Sequence, residues 1–292
     1  MWGTTMKKTF YARLILGILL ALLFTINQKP SAASDNSFEL NLIHTNDTHG
    51  NFQEPFDAGE TLLRLTKGAR KDLTNKNAHL LTLDAGDITS YRDPSIDTLE
   101  SDLRALDAAG YNAMAIGNHE IDFGLAKFYE LTQKIKMPVL CANIIDNKTK
   151  RHLFKPYIIK KFEGVRIAII GITSSNLYAA LSAEEKSSFG FLGTNEAYFS
   201  VITDVKRKAD MIFILSHLGL NDDREFAKAH PEVSLIIGAH SHTFLKQSEL
   251  VGGTFILNAG KFGDCLGQTK ITIKDKKIVS ANENLIYLKK TF

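Results

Sequence analysis

Along the chain, short and nearly continuous apolar runs alternate with longer stretches in which apolar residues recur at helical spacing. Runs at 40–44, 78–83, 111–116 and 138–142 read as buried strands. Between them, 60–72, 97–109 and 125–135 read as amphipathic helices. Leu62, Leu63 and Leu65 turn to the core in the first, and Gly110 is a natural stop for the second. Residues 157–162 and 165–170 flank Glu163-Gly164, a hairpin signal. Helices at 195–209 and 222–230 then alternate with strands at 211–215 and 233–237. The last part reads as strand throughout: 254–257, 265–273, 277–280 and 284–288. The first half has the βα alternation of a parallel sheet, and the tail reads as antiparallel. No repeat or low-complexity linker interrupts the pattern.

The N-terminus follows another rule. Lys7, Lys8 and Arg13 precede an apolar stretch over 14–26, and Ser31-Ala32-Ala33 supplies small residues behind it. This order predicts a signal peptide over 1–33, cleaved after Ala33, and a single domain over 34–292. The expected location is periplasmic or secreted. The apolar stretch is shorter than the ~20 residues a spanning helix needs, which favours a cleaved leader over the alternative of a retained membrane anchor, and no stable membrane association is expected after cleavage. No Cys follows it to carry a lipid anchor. Met6-Lys7-Lys8 is itself a typical signal-peptide start, which leaves Met1 and Met6 both open as the first residue. Removing the segment takes away four basic residues and no acidic one, and the formal net charge falls from +3 to −1. A near-neutral chain gives no reason to expect a nucleic-acid polymer as partner. Cys141 and Cys265 lie in apolar, strand-like surroundings. Two buried free thiols is the plainer reading, and a disulfide is the alternative.

Candidate chemistry gathers just past the strand ends. Asp47-Thr48-His49, Gly86-Asp87, Gly117-Asn118-His119-Glu120, Ser216-His217 and Gly238-Ala239-His240-Ser241-His242 each follow an apolar run. Ligands of open α/β sheets collect at the carboxyl ends of strands. Oxygen and imidazole donors without a thiolate suit Mn, Fe, Zn or Co ions rather than a structural zinc site. Asp47 and His49, like His240 and His242, are spaced so that both side chains can point the same way. Asp87 can bridge two ions about 3.5–4 Å apart with its two oxygens. Asn118 offers a neutral carbonyl oxygen. His119 points elsewhere, toward substrate, and Asp122 can orient its ring or can cap the following helix. Asp84 reads as structural, and Gly238 as room for the backbone to approach the ions. His44, His79, His152 and His230 receive no function.

These motifs, and the fuller strings HTNDTHG (44–50), LDAGD (83–87), YNAMAIGNHEIDFG (111–124), CANI (141–144), ILSHLG (214–219) and IIGAHSH (236–242), resemble the calcineurin-like metallophosphoesterase superfamily. Within it they are similar to the catalytic domain of bacterial 5′-nucleotidase/UDP-sugar hydrolases, over about residues 38–290. The resemblance implies an α/β fold, a four-layer α/β/β/α sandwich, with two divalent metal ions. It implies Asp47, His49, Asp87 and His242 around one ion and Asp87, Asn118, His217 and His240 around the other. His119 and Asp122 match the catalytic dyad, and hydroxide on the metals is the implied nucleophile. Relatives of this kind usually carry a further C-terminal nucleotide-binding domain. The chain reads as the metallophosphatase domain alone, so nucleotide specificity does not carry over. The loop after Asp87 departs from the family's run of small residues, and its Arg92 is, with Asn118, a candidate for holding substrate phosphate, or else a solvated loop arginine. The expected function is an exported phosphoric-ester hydrolase acting on nucleotides or small phosphate esters. Cyclic-nucleotide phosphodiesterase, UDP-sugar or pyrophosphate hydrolase, and a weakly catalytic binding subunit are the rivals.

Overall fold

The computed structural model describes residues 37–54, 61–90 and 94–288. The signal peptide expected over 1–33 and the candidate Arg92 lie outside the described residues. In chain order the elements are β1 (Ser37–Thr45), α1 (Leu62–Asn75), β2 (His79–Asp84), α2 (Ile96–Ala109), β3 (Ala113–Ala115), a 3-10 turn (His119–Ile121), α3 (Leu125–Thr132), β4 (Val139–Leu140) and β5 (Ile144–Asp146). They continue with β6 (Tyr157–Phe162), β7 (Val165–Thr173), α4 (Ser175–Ala180), α5 (Ala183–Ser188), β8 (Phe189–Phe191), α6 (Thr194–Lys208), β9 (Met211–His217), α7 (Leu220–Ala229), β10 (Leu235–Ile237), β11 (Glu249–Val251), β12 (Thr254–Leu257), β13 (Cys265–Lys274) and β14 (Lys277–Tyr287).

The strands form two six-stranded sheets, β14-β13-β1-β2-β3-β4 and β11-β12-β10-β9-β7-β6, with β5 and β8 paired separately. In the first sheet β1 to β4 run parallel, and β13 and β14 close one edge antiparallel. In the second, β7, β9, β10 and β12 run parallel between antiparallel edges β6 and β11.

Successive strand residues face opposite sides, and the burial follows that rule. Leu40 and Leu42 of β1 join Leu81, Leu83, Ile167, Phe213, Leu215 and Ile237 in a core between the sheets. Ile43, one residue on, faces the other way, into a core with Leu62, Leu99, Leu103 and Phe128 of α1 to α3. Beyond the second sheet, Ile170, Ile212 and Ile214 pack on Val201, Val205 and Phe226 of α6 and α7. The layers are therefore helix, sheet, sheet, helix, as the resemblance implies.

Several readings of the pattern need correction, among them the strands expected at 138–142 and 233–237, which shorten to Val139–Leu140 and Leu235–Ile237. β14 is one strand of 11 residues, where the pattern predicts two. In its polar middle Asn282 and Asn284 are exposed, while Glu283 turns inward and pairs with His44 at 3.1 Å, both of those side chains wholly enclosed. β12 runs parallel to β10 and does not belong to an antiparallel tail. The strand expected at 111–116 is only three residues long. Helix α7 begins at Leu220, behind Gly219, rather than at 222. Elements α4, α5, β5, β8 and β11 escape the pattern, being short and weakly periodic. Cys141 and Cys265 are both buried and free. Among the described residues no helix is long and apolar enough to cross a membrane.

Candidate metal centre

The carboxyl ends of both sheets open onto one place. Asp47 and His49 follow β1, Asp87 follows β2, and Asn118 and His119 follow β3. His217 ends β9, and His240 and His242 follow β10. Two triads form there, Asp47–His49–His242 and Asp87–His217–His240, the ligand atoms within each lying within 4.8 Å of one another. The triads adjoin. Asp87 Oδ2 lies 3.1 Å from His217 Nε2 and 4.0 Å from His49 Nε2, and Asp47 Oδ1 lies 4.0 Å from His217 Nε2. Asp87 thus reaches both triads.

The backbone bends sharply to make this possible. Asp47, His49, Asp87, His240 and His242 all have positive φ, between 47° and 69°. Such left-handed conformations are uncommon for residues with a Cβ and concentrate at functional sites. The first two loops are laddered together: Asp47 N donates to Gly86 O at 2.9 Å and His49 N to Asp87 O at 3.0 Å. Gly86 has φ 95°, and a Cβ there would lie 2.6 Å from Gly117 N. Gly117 in turn leaves no room for a Cβ beside the Asp87 carboxylate. Gly238 has a different reason from the one expected: a Cβ on it would strike the Asp223 carboxylate, not approach the centre.

A second layer of polar side chains fixes the first. His217 Nδ1 donates to Ala85 O at 2.8 Å, and His49 Nδ1 stands 3.3 Å from Thr89 O. These contacts turn the Nε2 atoms toward the centre. Asn46 Nδ2 donates to Asp47 Oδ2 at 2.7 Å and to Gly260 O at 2.8 Å. Asp84 is wholly buried and accepts from Thr45 Oγ1 and Gly86 N, a structural position. Glu120 accepts from the backbone N–H groups of Asp87, Ile88, Thr89 and Gly117, and from Thr89 Oγ1. It knots the β2 loop to the β3 loop. Asn176, in α4, reaches His240 Nε2 at 3.3 Å. Sequence reading assigns nothing to Asn46, Glu120 or Asn176. Glu120 stands inside a quoted motif, and only its five donors reveal what it does.

The electrostatics fit a cation-binding site. Burial pushes Asp47 up to about 7. Burial also raises Asp87, but the nearby His217, the His119 amide and His49 together outweigh it and hold that carboxyl below the usual range. Burial alone would lower His217, yet the charges of Asp87 and Asp47 raise it to about 10. Burial lowers His49 to about 4 and also lowers His240 and His242. Two buried carboxylates therefore share one strongly basic imidazole. Asn118 Oδ1 is buried without a hydrogen-bond partner. His217 Nε2 is close to Asp87 but not aligned on it, and it too lacks a hydrogen bond. Buried polar atoms are rarely left so, and divalent ions coordinated by these atoms would satisfy both.

His119 belongs to neither triad. Its backbone N donates to Asp87 Oδ1 at 2.9 Å, its ring lies 5.6 Å from that of His49, and its Nδ1 is 2.9 Å from Asp122 Oδ2. Gly124, not Asp122, takes the N-cap position of α3.

A four-layer sandwich holding two adjoining Asp/His triads at its strand ends defines a dinuclear metallophosphoesterase. The chain belongs to the calcineurin-like phosphoesterase family, whose match covers residues 40–244. It is 30% identical to protein UshA of Escherichia coli, over 92% of this chain and 56% of UshA. It is 27% identical to the 5′-nucleotidase of Vibrio cholerae, over 87% of this chain and 52% of that protein. The chain thus spans about half the length of these curated relatives. The solved 5′-nucleotidase precursor of Thermus thermophilus superposes with a TM-score of 0.72 at 24% identity, over 86% of this chain and 55% of that one, a likeness of fold. The chain is a phosphoester hydrolase related to the 5′-nucleotidases.

Proposed function

We propose that this hydrolase is an exported phosphomonoesterase acting on nucleotides or related small phosphate esters. The observation that carries the reading is one carboxylate, Asp87, shared between two metal-type triads with a His–Asp pair beside it. Asp47, His49, Asp87 and His242 would hold one ion, and Asp87, Asn118, His217 and His240 the other. The donor set suits Mn, Zn, Fe or Co. Bound divalent ions would supply Lewis acidity at the phosphoryl oxygens and lower the pKa of water.

The chain's own groups do the rest. Asp122 holds His119 by Nδ1, leaving Nε2 as the atom that carries a proton to the departing oxygen. The His119 amide on Asp87 ties this acid to the shared ligand. The 5′-nucleotidase name of the Vibrio cholerae protein supports a nucleotide substrate, and the basic, apolar and small-residue order over 1–33 supports export.

The test is phosphate release from nucleoside mono-, di- and cyclic phosphates, UDP-sugars, sugar phosphates and an aryl phosphate with added Mn. Monophosphates should be hydrolysed and a chelator should stop the reaction. His119→Ala should keep its metals and lose a factor of about 10²–10⁴ in turnover. The loss should be smaller for aryl esters, whose leaving groups need less protonation. Release from diesters or UDP-sugars alone would overturn the monoesterase reading.

A further inference from the structure

The segment between β12 and β13 approaches the same centre from the side of the Asp47 triad. Phe262 N donates to Asp47 O at 2.7 Å, Ala259 N donates to Asn46 Oδ1 at 2.8 Å, and Gly260 O takes an Asn46 hydrogen. Residues 259–262 are therefore fixed to the ligand loop rather than hung freely in solvent. Phe262 itself has φ 54°, the same left-handed turn as the ligands. Its ring lies 5.4 Å from the His49 ring and 5.6 Å from the His242 ring. Lys261 Nζ rests 5.0 Å from the centre of the Phe262 ring, on a half-buried stem. Among the described residues no carboxylate stands within ion-pair distance of Lys261.

An ammonium held beside a place for two divalent cations opposes their binding, unless an anion comes between them. We propose that Lys261 is a phosphate-binding residue, its ammonium swinging from the Phe262 ring onto a non-bridging oxygen of the substrate's phosphoryl group. The ligand class is a phosphate mono- or dianion. The proposal rests on reading the centre as a phosphate-ester site, and it gives that site a clamp from the described chain itself. Lys is a compact point charge on a flexible stem, suited to such a reach. The Phe262 face stabilises the ammonium while no substrate is bound.

The test uses the full chain loaded with Mn, titrated with inorganic phosphate by calorimetry, with metal content measured in parallel. Lys261→Ala and Lys261→Gln should bind phosphate about tenfold more weakly, the worth of one hydrogen bond to a charged group. Both should keep their full metal complement. Lys261→Arg should recover most of the affinity. With an aryl phosphate, KM should rise in the same proportion while kcat stays within about twofold, as loss of uniform binding requires. The wild-type phosphate affinity should also fall more steeply with salt than that of Lys261→Gln. Equal phosphate affinity in all four proteins at full metal occupancy would overturn the proposal, and so would loss of metal in the neutral variants. If the wild type released phosphate from no ester, the functional reading would fail, and the phosphate titration would still judge Lys261.

Discussion

Asp102 sits in α2 with 4% of its surface exposed and accepts Gln53 Nε2 at 3.0 Å. Burial, and the nearby Glu54 charge, raise its carboxyl to about 6. An acid whose folded pKa lies above its unfolded value takes up a proton on folding. The stability of the protonated form is present at low pH and is lost as pH rises from about 4 to about 6. Asp102→Asn keeps an oxygen for Gln53 and removes the charge. Thermal melts should show the variant more stable than wild type at pH 8, by a few degrees, with the gap closing at pH 4. A gap that is the same at both pH values would show that the charge plays no part. Asp102 illustrates what a sequence withholds at this scale. The ligand-type residues are legible because their spacing follows the strand ends. Nothing local distinguishes Asp102 from a solvated helical aspartate. Glu120 likewise looks like one more charge, since its donors come from residues 87 to 89 and from 117.

Among the elements, the α4–α5–β8 segment is the least legible, and it reaches the site through Asn176. Its helices are six residues each, below the length at which apolar periodicity speaks. Its ends are tied down by polar contacts instead. Glu185 accepts Leu125 N at 2.7 Å at the start of α3, and Asn176 meets His240. The long strands are readable because each buries a complete face. The middle of β14 misleads because Glu283 is buried by partners on β1 and β13, His44 and Thr269, which are remote in sequence. Asn176 meets the ring of His240, a proposed ligand, and contacts that orient a ligand are worth about 10–100-fold in metal affinity. In Asn176→Ala the ion of the Asp87–His217–His240 triad should be released at lower chelator concentration, by about tenfold, with the ion of the Asp47–His49–His242 triad unmoved. Elemental analysis across a chelator series would show this, and parallel loss of both ions would contradict it.

Across the whole molecule, the first sheet supplies Asp47, His49, Asp87 and Asn118, and the second supplies His217, His240 and His242. The strand and helix order makes an α/β fold legible, and the sandwich follows from the family resemblance that the motifs carry. That the two halves join at one seam depends on register and on tight turns, which no local pattern encodes. Ions held at that seam would tie one sheet to the other. At a hundredfold excess over its Kd, each independent ion should add about 2.7 kcal/mol to stability. Chelation should therefore lower the melting temperature by several degrees. The left-handed turns at the ligands carry this further, into how such a protein ages over generations. His242 has φ 56°, a conformation that suits glycine and costs an ordinary residue about 1 kcal/mol or more. In a chelator, His242→Gly should melt higher than wild type. With Mn restored, the order should reverse. A lineage released from selection on its chemistry could then drift toward a sturdier, inert descendant, losing its ligands one at a time while the sandwich stays folded.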